Sequence, residues 1–67
     1  MSKKEVLIKK IYAIEDCLID KDTNNIPYIN ELYKKFANTT YPLPKNIEVY
    51  KLEALFDALV KYFKENK

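Results

Sequence analysis

The chain of 67 residues contains no glycine, histidine, tryptophan or arginine, and it has a single cysteine. Each absence removes a class of chemistry. Without histidine the usual general base and the commonest metal ligand are missing. Without glycine there is neither a phosphate-cradling loop nor a nucleophile elbow. Together these gaps lead us to expect a protein that is not an enzyme and that needs no cofactor and no small-molecule substrate. All twelve cations are lysine, so the bidentate guanidinium contacts of sequence-reading nucleic-acid proteins are excluded. Nonspecific phosphate contact through Lys34, Lys35, Lys45, Lys51, Lys61 and Lys64 stands as the alternative reading, that of a small helical nucleic-acid binder.

The lone cysteine, Cys17, rules out an internal disulfide and fits a reducing cytoplasm. It reads as a small apolar helix residue rather than a reactive thiol. The start is basic and then apolar, but Lys9 and Lys10 interrupt the run after three residues, so neither a secretion signal nor a membrane span is expected. Lys3, Lys4, Lys9 and Lys10 could seat a first helix on anionic lipid. The acids Glu15, Asp16, Asp20 and Asp22 at its far end would repel that surface, and no membrane partner is expected.

What is present is helical periodicity. With 48% hydrophobic and 33% charged residues the composition is globular, and the length allows one small domain spanning 1–67. Ser2 and Glu5 have capping-box spacing, with Met1 and Val6 placed as a hydrophobic staple. Leu7, Ile11, Ile14 and Leu18 then share one stripe of a helix. A second stripe joins Ile29, Leu32, Tyr33 and Phe36, opened by Pro27 in its first turn and closed by Asn38 in a left-handed conformation. The third runs through Val49, Leu52, Phe56, Leu59 and Phe63, with Asn46 as its cap. The expected fold is all-α, a small three-helix bundle with helices at about 2–20, 27–37 and 47–65.

Between the second and third helices lies "TTYPLPKN", residues 39–46. Pro42 and Pro44 bias Tyr41 and Leu43 towards extended backbone, which makes the stretch a stiff spacer. It lacks the P-x-x-P spacing of aromatic-groove ligands, so it reads as a connector whose Tyr41 touches a partner. The roughly nine residues between the second and third helices, two of them proline, also depart from the tight turn of a DNA-binding helix-turn-helix.

Residues 20–31, "DKDTNNIPYINE", place Asp20, Asp22, Asn24 and Glu31 at positions 1, 3, 5 and 12 of a loop between helices. This resembles an EF-hand calcium loop, and the resemblance implies calcium held by those four oxygen donors. It covers only the loop and its flanks, with Asn25 at the usual glycine and Pro27 at a usual aliphatic position. The competing reading, with no metal, is a polar loop followed by a helix that carries a glutamate.

The apolar side chains exceed what one stripe per helix needs. Ile8, Tyr12 and Ile19 lie together about 100° round the first helix from its main stripe. Tyr50 falls among Glu53, Asp57, Lys61 and Lys64, opposite the third seam, and Tyr41 sits in the connector. Large side chains outside a core and rimmed by charge are the mark of an interaction surface. Ile8, Tyr12, Ile19, Tyr41 and Tyr50 are therefore the candidate partner-binding residues. The expected function is that of a small cytoplasmic adaptor, inhibitor or regulator that binds another protein, or a second copy of itself as a homodimer.

Overall fold

The computed structural model describes residues 2–65. Helix α1 spans Lys3–Lys21. Helix α2 spans Asn25–Leu32 and runs directly into a π-helical segment, Tyr33–Ala37. Helix α3 spans Val49–Glu65. This is the expected all-α three-helix bundle. Its radius of gyration of 11.2 Å is that of a folded domain, for which about 11 Å is expected at this length.

The start of α1 follows from Ser2, whose hydroxyl accepts the Glu5 amide at 3.2 Å and so satisfies one of the unpaired donors of the first turn. The Met1 half of the staple lies outside the described residues. At the other end the Asp22 amide donates to the Leu18 carbonyl, and the Asn25 amide donates to the Asp22 carbonyl. The Asp22 side chain accepts the Asn24 amide at 2.9 Å, an Asx turn that replaces glycine in reversing the chain. Helix α2 therefore opens at Asn25, two residues before the expected start. Pro27 occupies its third position, where the missing N–H would have had no helical partner.

Asn25 itself is buried. Its amide nitrogen donates to the Leu18 carbonyl at 2.8 Å, and its side-chain oxygen accepts the Tyr62 hydroxyl at 2.6 Å. One side chain thereby ties the end of α1, the start of α2 and the last turns of α3. The π segment ends as the sequence suggests, on Asn38 in the left-handed region at φ 52° and ψ 40°. The amides of Asn38 and Thr39 both return to the Tyr33 carbonyl.

The connector is more than a spacer. Leu43 and Ile47 are core residues, and the Leu43 amide donates to the Tyr12 hydroxyl at 3.1 Å. The Tyr41–Pro42 peptide bond is cis. A turn closed by the Ile47 amide on the Pro44 carbonyl then delivers the chain to α3. Helix α3 begins at Val49 rather than at residue 47. Asn46 is not its cap, because the first helical bonds, from the amides of Lys51 and Leu52, end on the Glu48 carbonyl two residues further on.

The inward face of α3 also differs from the expected seam. Leu52 and Leu59 are fully buried as expected, but so is Leu55, whereas Phe63 is 39% exposed. The helix is rotated so that Leu52, Leu55, Leu59 and Tyr62 face in. That rotation lets Tyr62 reach Asn25 and stack on Tyr28, with ring centroids 4.1 Å apart and planes 16° from parallel. Leu55→Ala is expected to cost about 2–5 kcal/mol by leaving a cavity, and Phe63→Ala less than about 1 kcal/mol. Urea unfolding followed by circular dichroism measures both.

Candidate binding cleft

The buried positions of α1 are Ile11, Glu15 and Leu18. Their steps of four and three residues place a glutamate in the middle of the inward face, and Glu15 is only 6% exposed. It reads in sequence as one member of an acidic cluster, and its role was missed for that reason. The signal was the spacing from Ile11 and to Leu18, which assigns position 15 to the core stripe whatever residue occupies it.

Tyr33, at the start of the π segment, is fully buried, and its hydroxyl has no hydrogen-bond partner. Glu15 and Tyr33 act on each other electrically without a bond of good geometry between them. Burial pushes the Glu15 carboxyl above the usual carboxylate range. The Tyr33 hydroxyl pulls it down in part, and the Asp16 charge pushes it up again. Burial, followed by the Glu15 carboxyl, drives the Tyr33 hydroxyl well above its ordinary value.

Above this pair opens a cleft of about 740 Å³ between α1, α2 and the connector. Glu15 and Ile29, both buried, form its floor, and Tyr12, Ile19, Ile26 and Tyr41 form its walls. Asp16, Asn30, Lys34 and Thr40 supply the polar lining at the edge. Ile26 is 41% and Tyr41 62% exposed, so apolar and aromatic surface faces solvent here. The Tyr12 and Tyr41 rings meet edge to face, 5.6 Å between centroids, and Tyr33 lies 6.4 Å from Tyr41.

Of the five residues picked out from sequence, Tyr12, Ile19 and Tyr41 come together in this cleft. Ile8 packs against the core, as Tyr12 and Ile19 also do in part, but it does not line the cleft. Tyr50 is exposed on α3 and does not line the cleft. The five are thus not one continuous ridge. Ile26 and Asn30 belong to the cleft but gave no sequence signal, and Lys34 was singled out only as a phosphate contact, since α2 had to be in place before they could face α1. A second, shallower cleft of about 670 Å³ lies between α2, the π segment and α3, around the stacked Tyr28 and Tyr62 rings.

The four calcium-loop positions fall on three different elements. Asp20 belongs to α1, Asp22 and Asn24 to the turn, and Glu31 to the second turn of α2. Because α1 runs to Lys21 and α2 starts at Asn25, nine of the twelve residues are helical and only three remain for a loop that would wrap an ion. Among the described residues no three His, Cys, Asp or Glu side chains are grouped as metal ligands. Cys17 is exposed rather than packed, since it projects from the outer face of α1. Among the described residues no helix is long and apolar enough to cross a membrane.

The fold and cleft define a small three-helix protein with an open amphipathic groove. No family model, curated protein or solved structure matches the chain.

A carboxyl whose pKa is raised on folding stabilises the native state while it is protonated. That contribution is complete below its unfolded value of 4.5 and is lost as pH rises through the native value. Glu15→Gln, which keeps the shape and cannot ionise, is therefore expected to be more stable than the native protein at neutral pH. The advantage should shrink towards acid. Urea midpoints of the two proteins compared across pH give the check.

Proposed function

We propose that this protein is a non-enzymatic binding module that holds a segment of another protein in the cleft between α1, α2 and the connector. It would act as an adaptor, inhibitor or regulator by occupying that segment. The supporting observation is that Ile19, Ile26 and Tyr41 present apolar and aromatic surface in a concave site, on a bundle whose own core is closed by Leu43, Leu52, Leu55 and Leu59. Ile26 and Tyr41 are left largely exposed by the fold, and Ile19 is only partly covered where it packs against the core. Aromatic and aliphatic anchors beside a polar rim are what protein interfaces concentrate, and the cleft has the volume of sites that enclose a few side chains. A chain with one cysteine and no disulfide suits the reducing cytoplasm.

Selection of random dodecapeptides displayed on phage tests this reading. Enriched peptides, made synthetically, should move the amide resonances of Ile19, Ile26 and Tyr41. Tyr41→Ser should weaken them by about ten-fold or more, the loss of one interface anchor, and Tyr50→Ser by less than about two-fold. Peptides that map to the Tyr50 face, or no enrichment, would contradict it. A concentration-dependent dimer abolished by Tyr41→Ser would make the occupant a second copy of the chain.

A further inference from the structure

We infer that the cleft selects a basic side chain: the bound segment inserts a lysine or arginine whose cationic head meets the Glu15 carboxyl beside the rings of Tyr12 and Tyr41. The inference rests on the binding reading above and names the chemistry of its occupant.

Glu15 is nine-tenths buried yet lines an open cleft. A carboxyl in that position opposes folding, since charge is costly to bury and an apolar residue would pack there more favourably. The Tyr33 hydroxyl next to it is enclosed and has no hydrogen-bond partner of good geometry, and its pull on the Glu15 carboxyl offsets burial only in part. The walls match the two parts of a basic side chain. Ile19 and Ile26 offer apolar surface to the alkyl stem, and the rings of Tyr12 and Tyr41, 5.6 Å apart, offer π surface to the cation. The charges also match. Glu15 and Asp16 face the cleft against Lys34, which makes it locally acidic in a chain of net charge +2. An acidic occupant would be repelled, and a purely apolar one would seal the carboxyl away from water with no counter-charge.

Binding should also be coupled to a proton. A cation arriving beside Glu15 favours its ionised form, opposing the burial that holds the carboxyl above its usual range. Affinity for a cation should then rise with pH through the native titration of Glu15. The other titratable groups facing the carboxyl are Tyr12 and Asp16 from α1, Tyr33 and Lys34 from the π segment, and Tyr41 from the connector. All of them are retained in Glu15→Gln, so that variant isolates the contribution of position 15.

The test is an NMR titration of the whole chain with n-butylammonium and, separately, with its neutral counterpart n-butanol. Both should move the Ile19, Ile26 and Tyr41 amides, with the ammonium binding about five-fold or more tightly than the alcohol at neutral pH. In Glu15→Gln the two should converge to within about two-fold. As pH rises above 4.5, the ordinary value of the group, the ammonium affinity should rise in the native protein and stay level in the variant. Equal binding of alcohol and ammonium would overturn the basic selectivity while leaving the cleft a binding site for peptides. An ammonium preference that survives Glu15→Gln would overturn the role of Glu15, and the absence of saturable shifts with either probe would overturn the inference. Since Glu15→Gln removes a destabilising buried charge, a lost preference could not be attributed to unfolding, and the variant's circular dichroism confirms the point.

Discussion

The arrangement of the three helices depends on the side-chain amide of Asn25. By donating to the Leu18 carbonyl and accepting the Tyr62 hydroxyl it fastens the end of α1 to the start of α2 and both to α3. A chain without glycine has few ways to reverse direction in three residues. Here the Asp22 Asx turn makes the reversal, and Asn25 fixes the result in the interior. Two features follow from that lock. Helix α3 is rotated to bring Tyr62 inward, carrying Leu55 into the core and leaving Phe63 at the surface. The separation between Ile19 on α1 and Ile26 on α2 is also set here, and with it the width of the cleft.

Legibility in the sequence followed the range of the interactions involved. Features decided within one turn could be read directly: the Ser2 cap, the left-handed Asn38, the first-turn placement of Pro27 and the three helical periods. Periodicity says which residues share a stripe, but the direction in which the stripe points is chosen by what lies opposite. That is why Leu55 was passed over for Phe63, and why Ile8 was assigned to a surface ridge. Asn25 looked like a replacement for a calcium-loop glycine because its two partners, seven and thirty-seven residues away, are invisible locally. The π segment, which places Tyr33 wholly inside, likewise had no local signature.

The lining of the candidate cleft was legible in part. Tyr12, Ile19 and Tyr41 were found as excess apolar side chains, which is a matter of counting faces. Tyr12 proved to have two roles, walling the cleft with its ring and pinning the connector through the Leu43 amide. Glu15 was hidden by its chemistry, since a charged residue in an acidic run is ordinarily solvated. Its burial sets a charged group on a face otherwise formed by Ile11 and Leu18, and such conflicts between residue type and position concentrate where structure serves function rather than stability. A domain of this size has only a few kcal/mol of stability in hand, so a buried carboxyl that the Tyr33 hydroxyl offsets only in part is a large concession. The proposed ligand cation would give it a purpose.

The most direct measurement is the titration of the Glu15 side-chain carboxyl in the free native protein, followed by its carbon-13 resonance. A midpoint clearly above 4.5, the ordinary value for this group, is the expected result. It would show that a desolvated carboxyl forms the floor of the cleft. A midpoint at or below that value would mean that Glu15 is solvated or already paired with a cation of the chain. In that case both the strained floor and the selectivity built on it would fail.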